Sequence, residues 1–468
     1  MSILRMYKGP LYSVFAVLFS VLNIHANVEQ RIATSNLPTQ EVTVSDLPRP
    51  EILYPELESI LINAGDRAPQ MIENLLRQNI ATEDLKIARS AYWPRLSTGM
   101  SFGANRTFRE NGPTTDSMGM NGSIGMSRPL YHWGAVHAGI KIGELQYDRS
   151  VRLTEESFQS LVQDFRSSYM DLVINNLKLR NTRLEENILK EDAKVKKGDF
   201  NAGRISAEEY LEFQITLEES FLDIERIVYD NREITDDFEH ASGVKVAVEG
   251  SSEVPPLNLS LIQLWLTEFR LPGNWYAGTR QVSNQMDLIE QEKNRYVVIR
   301  ANQRPKVNFS SSVSRDFSDT INGNSVPTTN VFGGLGVGWN IFDGFSTSAN
   351  KRNSILRRSL AENDLADLEY ALSQEEMIAK RDLKINLDRL KLTEKLFNLQ
   401  LKQHERKIED QKSGLISSNQ LRSERLAFFG QEIKVAEKRA DLLLALMEYI
   451  AKIEVDPSVN YLNMKVVR

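Results

Sequence analysis

The sequence contains no cysteine, and histidine is rare. Without cysteine, neither a disulfide framework nor a lipid attached through an N-terminal thiol can form. The five histidines are scattered without the spacing of metal ligands, so we expect no metal site, and no other pattern predicts a cofactor. They are His25, His132, His137, His240 and His404.

Long apolar runs are also missing, except at the start of the chain. Arg5 and Lys8 precede an apolar run, Leu11–Ile24, and Ala26 suits a cleavage site, so residues 1–26 are predicted to be a secretory signal peptide. The run is too short for a spanning helix, and no later stretch approaches the roughly 20 apolar residues that one needs. Removing these residues takes away two basic side chains and no acids, which changes the net charge from -6 to -8. This acidic balance argues against a nucleic-acid partner.

Two stretches of the chain alternate between apolar and small polar residues, which is the period of a β-strand. The first stretch, 95–131, has a polar turn near its middle and therefore predicts a β-hairpin. Apolar residues on one face, with Gly, Ser and Asn on the other, suit a strand between lipid and a water-filled lumen. A soluble hairpin with one face on a core would show the same alternation.

The hairpin recurs 211 residues later, without a gap, at 306–342. The same shift places Gly203-Arg204-Ile205-Ser206 on Gly414-Leu415-Ile416-Ser417, so the register holds across a whole structural unit. The chain is therefore internally duplicated. In both copies we expect the apolar face to meet lipid, through Leu96, Phe102, Ile124, Met126, Val307, Val313, Leu335 and Val337.

Around the hairpins, charged segments with apolar residues three or four apart predict long helices. Ser206 and Ser417 are suitable N-caps, so each copy ends in a helical hairpin that turns near residue 203 or 414. Two short helices stacked end to end would match the one long helix between them, which would measure about 100 Å. We expect an extended lead-in over 27–55, a first repeat over 56–241, a connector over 242–274, a second repeat over 275–453 and a tail over 454–468.

In the order and spacing of these features, from Leu57 to Ile453, the chain resembles the TolC-type outer-membrane factors. No single motif is specific, but the set is. The hairpins are opened by Pro94 and Pro305. The closing strands end in Pro129-Leu130-Tyr131 and Asn340-Ile341-Phe342-Asp343-Gly344. The two Gly-x-Ile-Ser breaks and the duplication complete the set. The second copy departs from the first where Asn340 replaces Pro129 and Gly344 replaces Trp133.

The resemblance implies an α+β membrane protein in which a long α-helical coiled-coil barrel continues into a trimeric 12-stranded transmembrane β-barrel, with four strands per protomer. It implies a passive outer-membrane exit duct of a tripartite efflux pump or type I secretion system, and not an enzyme. The partners would be two further copies, a periplasmic adaptor, an inner-membrane ABC or proton-driven transporter, and outer-membrane lipid. The tunnel would lie in the periplasm.

The resemblance also implies where the sites lie. The two breaks, Gly203 to Ser206 and Gly414 to Ser417, would be the periplasmic tips that dock the adaptor. Acids near the first break, Glu208, Glu209 and Glu212, would line the tunnel entrance, whereas the second copy has Gln420 and Ser423. The polar segments 106–116 and 316–329, which contain Asn-Gly pairs, are predicted to be extracellular loops.

The sequence has two alternative interpretations, a phosphate-binding protein and a soluble periplasmic helical protein. Gly334, Gly336 and Gly338 lie inside a strand pattern rather than between a strand and a helix, so a phosphate-binding loop is not expected. A periplasmic coiled-coil adaptor or scaffold would also show long helices and a helical hairpin. Such a protein has no reason to duplicate an amphipathic strand hairpin between its helices, so the duplication favours the duct.

Overall fold

The structure is a computed structural model of the 468-residue chain. It describes residues 43–108, 110, 112, 114–245, 253–320, 327–458 and 460–461, and the residues from Val44 onward belong to one compact unit. The predicted signal peptide lies outside the described residues, as does the first part of the predicted lead-in.

Long helices flank a single four-stranded sheet. The helices are α1 (Pro50–Leu53), α2 (Pro55–Arg67), α3 (Pro69–Ser90), α4 (Ala135–Asn201), α5 (Ala207–Ser242), α6 (Leu259–Glu268), α7 (Arg280–Ala301), α8 (Ser346–Lys412) and α9 (Ser418–Lys452). The strands are β1 (Arg95–Thr107), β2 (Thr115–Tyr131), β3 (Lys306–Thr320) and β4 (Thr328–Gly338). Short 3-10 turns occur at Val44–Asp46 and Trp275–Gly278.

The internal duplication is visible in the bounds of the elements. The pairs α3 and α7, β1 and β3, α4 and α8, and α5 and α9 all begin 211 residues apart. The helices α4 and α8 both contain 67 residues, which corresponds to a length of about 100 Å. Within the described ranges, no helix is both long and apolar enough to cross a membrane.

Each long helix packs against two shorter ones from its own repeat, α3 and α5 on α4, and α7 and α9 on α8. Helix α4 also contacts α7 and α9, which joins the repeats. Its buried side chains follow the helical period through Phe158, Phe165 and Tyr169, and the Phe165 ring meets Phe238 of α5 edge-on at 5.2 Å. Gly143 allows α3 to approach closely, because a Cβ there would lie 2.8 Å from the Cβ of Ala88.

Two predicted boundaries differ from the structure. From Val44 the lead-in is not extended but folds into a 3-10 turn and α1, because Leu47 and Tyr54 are buried. The second hairpin ends at Gly338 rather than at Phe342, since Gly338 faces Lys306, where its partner strand begins.

The connector contains a helix that the sequence analysis left unassigned. Helix α6 buries Ile262 and Trp265, and the Trp265 ring stacks on Phe269 at 4.8 Å and meets Tyr449 edge-on at 5.8 Å. Asn258 caps its start by accepting a hydrogen bond from the backbone N–H of Leu261. The connector is therefore fastened to α9 by aromatic packing.

A buried ion cluster joins both ends of the described chain to the middle of α4. The Arg166 guanidinium donates to Glu51 of α1 and to Asp456, which follows α9, at shortest distances of 2.6 Å each. The side chains of Arg166 and Asp456 are fully buried, and that of Glu51 is 1% exposed. Burial alone would raise the pKa of Asp456, but the hydrogen bonds and charge of Arg166, with the backbone N–H of Ser458, lower it overall.

We expect Arg166→Met to destabilise the folded protein strongly, because it leaves two carboxylates buried without their cation. Loss of one partner from a buried ion pair typically costs about 3–5 kcal/mol. Arg152→Met is the control, because Arg152 also lies on α4 but its ion pair with Asp287 of α7 is more exposed. Its loss is expected to cost about 1 kcal/mol or less. Thermal unfolding in detergent measures both, and equal midpoints for the two variants would contradict the role of the cluster.

The same measurement has a pH dependence with a defined sign. Because the folded pKa of Asp456 is lowered, its contribution to stability is complete above the unfolded value of about 3.9 and is lost as pH falls through the lower folded value. The gap in unfolding midpoint between the native protein and Arg166→Met should therefore be wider at pH 7 than at pH 3.

Candidate functional site

The four strands form one antiparallel sheet in the order β1-β2-β3-β4. Within each repeat the hairpin strands pair directly, with Leu96 opposite Met126 and Val307 opposite Val337. The repeats join through β2 and β3, where Ile124 faces Val313. The register shifts near Pro129, because one residue of β2 is unpaired there.

Residues that face each other in a sheet point to the same side, so the register assigns every side chain to a face. All eight residues expected to meet lipid lie on one face of the sheet. They are Leu96, Phe102, Ile124, Met126, Val307, Val313, Leu335 and Val337, and in the single chain the side chains of Leu96 and Phe102 are 74% and 73% exposed. The sheet thus presents an uncovered apolar surface.

The opposite face carries Ser, Gly and Asn at nearly every position. Phe332 is an exception, since it faces Ser312 on this polar side. Its ring lies over Gly334, where a Cβ would come within 3.2 Å of it. The apolar face also carries charged residues, among them Arg106, Arg128 and Arg315, and the Arg315 guanidinium lies 4.8 Å from the centre of the Phe317 ring.

The strands extend into the segments predicted to be extracellular loops. β1 continues to Thr107 and β2 starts at Thr115, while β3 continues to Thr320 and β4 starts at Thr328. The turns between them are therefore shorter than 106–116 and 316–329. Both Asn-Gly turns involve positions outside the described residues.

The two helical tips have the same backbone geometry. Gly203 and Gly414 adopt positive φ angles of 69° and 74°, which glycine takes without the strain that a side chain adds. Around Gly203 the Arg204 N–H reaches Asp199 O at 2.8 Å, and around Gly414 the Leu415 N–H reaches Asp410 O at the same distance. These bonds satisfy carbonyls that the end of a helix would otherwise leave free.

Each tip is followed by a capped helix. The Ser206 hydroxyl accepts a hydrogen bond from the Glu209 N–H at 3.1 Å, and the Ser417 hydroxyl accepts one from the Gln420 N–H at 3.2 Å. In the second copy the Gln420 side chain also accepts from the Ser417 N–H, which completes a capping box. Leu415 is exposed, whereas Ile205 and Ile416 are half-buried.

The predicted entrance acids differ in their contacts. Glu209 pairs with Lys196 across the helical hairpin at 2.7 Å, and this hydrogen bond raises the pKa of Lys196. Glu208 and Glu212 are exposed. In the single chain, the charge of Glu209 is thus partly balanced by a lysine of α4.

A contact that the sequence analysis missed ties the second tip to the first. Arg422 near the start of α9 reaches Glu191 of α4 at 2.5 Å and Asp192 at 3.8 Å. This pair crosses between the repeats, so neither helical spacing nor the duplication could reveal it. The second repeat also carries a pair between its own helices, from Lys407 to Glu424.

The sheet and the paired long helices are the architecture of outer-membrane channels that carry a helical tunnel. Residues 61–227 match the profile of the family described as Outer membrane efflux protein. Over that segment the chain is similar to the members of this family.

Solved structures share this fold at low sequence identity. A membrane protein from Pseudomonas aeruginosa aligns with a TM-score of 0.67 and 15% identity, over 90% of this chain and 100% of that one. The Campylobacter jejuni CmeC outer membrane channel aligns with a TM-score of 0.66 and 14% identity, over 92% and 93%. The open state of the Neisseria gonorrhoeae MtrE channel aligns with a TM-score of 0.58 and 14% identity, over 96% of this chain and 98% of that one. Among curated proteins, none matches this sequence significantly.

We expect Val313→Arg to impair assembly in the outer membrane, because Val313 lies on the exposed apolar face at the middle of β3. A charge near mid-membrane on a lipid-facing side costs about 2–4 kcal/mol in each copy. Ser314→Arg places the same side chain at the same depth on the polar face and should be tolerated. The measurement is the yield of heat-modifiable, oligomer-sized protein in outer-membrane fractions, and equal yields for the two variants would contradict the assigned faces.

Proposed function

We propose that this protein is an outer-membrane efflux channel with its helical tunnel in the periplasm, the passive exit duct of a tripartite efflux pump or a type I secretion system. The observation that carries the proposal is the sheet, which is apolar on one face, small and polar on the other, and attached to helices of about 100 Å. Such a sheet suits a wall between lipid and water. The helices would extend the lumen far into the periplasm.

The duct is a homotrimer in this proposal. In one chain β1 and β4 are sheet edges, and backbone groups in the bilayer core must all be paired, so other copies have to supply the missing partners. Three copies give 12 strands, an even number within the known range. Helix α8 also exposes leucines at helical spacing, which a second copy of the chain would bury. They are Leu356, Leu360, Leu392, Leu396 and Leu399.

A periplasmic adaptor or scaffold fits these observations less well. A soluble scaffold would leave the whole apolar face of the sheet in water, including the side chain of Leu335, which is 68% exposed. A lipid-facing barrel accounts for that surface. The duct has no chemistry of its own, so an inner-membrane ABC or proton-driven transporter would supply the energy and select the cargo.

The helical tips would dock the periplasmic adaptor. Their glycine turns and serine caps recur at the same offset in both repeats, from Gly203 to Ser206 and from Gly414 to Ser417. A structural turn explains the glycine and serine, but it does not explain why an isoleucine also recurs. Arg204, Ile205, Leu415 and Ile416 would offer the contacts, at the far end of the long helices from the sheet.

Single cysteines at the caps test this docking in a chain that has no cysteine of its own. We expect Ser206→Cys and Ser417→Cys to crosslink to the adaptor in intact cells, because both residues are exposed at the tips. Ser346→Cys is the control, since Ser346 is exposed at the opposite end of α8. If neither tip variant captures more adaptor than the control, while trimers remain intact, the tips are structural turns only.

The tip contacts would also hold the tunnel entrance closed at rest. Arg422 holds α9 to α4, and the acids Glu208, Glu209 and Glu212 would draw cations towards the entrance. Because the Arg422 pair is partly exposed, it contributes modestly in each copy. Opening would require the partner to separate these helices.

We expect Arg422→Ala to raise the conductance of the purified channel in planar bilayers. A partly exposed ion pair contributes about 0.5–1 kcal/mol, so its loss in three copies would raise the ratio of open to closed tips about 10- to 100-fold. Arg226→Ala is the control, because Arg226 pairs with Asp223 within one helix. Equal conductance for the two variants would remove the closing role, and an Arg422→Ala protein that forms no channel at all would overturn the duct.

A further inference from the structure

A cavity of about 330 Å³ lies where the sheet meets the helices in the first repeat. It is bounded by the end of β2 and the start of α4, with Tyr92 beyond α3 as a further wall. Nothing in the duct mechanism uses it. The residues that determine its chemistry are Tyr92, Arg128, Leu130, Tyr131, His132 and His137.

The lining is basic, with one arginine, two histidines and no carboxylate. Arg128 is exposed and makes no ion pair or hydrogen bond to another described residue. The His132 Nε2 lies 2.8 Å from the Asn308 side-chain oxygen, and the His137 Nδ1 lies 3.2 Å from the Tyr92 hydroxyl. Each imidazole is thus positioned by a neighbour and keeps its second nitrogen for another partner.

The corresponding position in the second repeat is occupied by a carboxylate. Asp343, which corresponds to His132, accepts a hydrogen bond from the Thr347 N–H at 2.9 Å and another from the Thr347 hydroxyl. These bonds lower the pKa of Asp343. The second repeat therefore holds an anion of its own at the start of α8.

The first repeat lacks that internal anion. Helix α4 begins after Gly134 without a side-chain cap, so the N–H groups of its first turn have no carboxylate to bind. Instead of the aspartate it has His132, and Arg128 stands where the second repeat has Trp339. The exchange of an acid for three basic side chains indicates that this cavity takes an anion from outside the chain.

The position of Arg128 indicates where that anion comes from. Arg128 follows Ile124 and Met126 on the apolar face of β2, so it is the first charge at the helical end of that face. Leu130 and Tyr131, next along the chain, are half exposed beside the cavity. A lipid whose acyl chains cover Ile124 and Met126 would bring its phosphate to Arg128.

We propose that this cavity binds the phosphate of a phospholipid headgroup in the periplasmic leaflet of the outer membrane, once in each protomer. Arg128 donates to the phosphate oxygens, and His132, His137 and the free N–H groups of α4 complete the site. The proposal rests on the proposed assignment of the apolar face of the sheet to lipid. The site fixes the depth of the barrel in the membrane at the junction with the tunnel.

The test is native mass spectrometry of purified trimers after addition of phosphatidylglycerol. Arg128→Gln should lower lipid retention about fivefold, since it removes charge-assisted hydrogen bonds. His132→Asp should lower it as well, because it installs the carboxylate that occupies the second repeat. Arg95→Gln is the matched control, since Arg95 faces Ser127 at the same level of the sheet but on the polar face.

Unchanged retention in Arg128→Gln trimers would overturn the site. A loss of retention in Arg95→Gln that equals the loss in Arg128→Gln would also overturn it, because any basic residue at that depth would then serve. Adding glycerol phosphate distinguishes the sources, since displacement of the lipid by this soluble phosphate would replace a lipid site with a general phosphate site. Trimers that form normally in all variants separate these outcomes from a failure of the duct itself.

Discussion

Every backbone N–H and C=O group in the core of a bilayer must find a partner within the protein, and the proposed duct depends on this constraint. One copy supplies only four strands and leaves β1 and β4 as edges. In the proposed duct the barrel would therefore close only between copies, and the helices that enter and leave each hairpin would have to follow the same symmetry. Equal helices of 67 residues in both repeats satisfy that requirement, because they keep the two tips at the same distance from the sheet.

Much of this arrangement could be predicted from the sequence, because it depends on local periodicity and on the duplication. The alternation in both hairpins predicted the apolar face, and Ser206 and Ser417 predicted the starts of α5 and α9. The remaining features depend on long-range contacts. Arg166 meets Glu51 and Asp456 at sequence separations of 115 and 290, for which no local pattern exists.

The two repeats share their backbone conformation, but many corresponding side chains differ. Both tips keep a glycine at positive φ and a serine cap, yet Glu209 in one copy corresponds to Gln420 in the other. At the sheet, His132 corresponds to Asp343 under the same constraint. Residues that both repeats share are those that the backbone conformation requires. Residues that differ between the repeats are not required by the backbone, so they indicate specific chemistry more directly.

Stability is concentrated in the middle of the helical region rather than at its ends. Buried side chains cluster along α4 from Phe158 to Leu177 and along the last turns of α9, with the Arg166 cluster between the chain ends. The tips instead depend on partly exposed ion pairs such as Arg422 with Glu191, each of which contributes little. In the proposed mechanism, a partner that pulls on the tips would therefore act against weak contacts, while the core that holds the helices together would stay intact. This unequal distribution would let the entrance open without loosening the barrel.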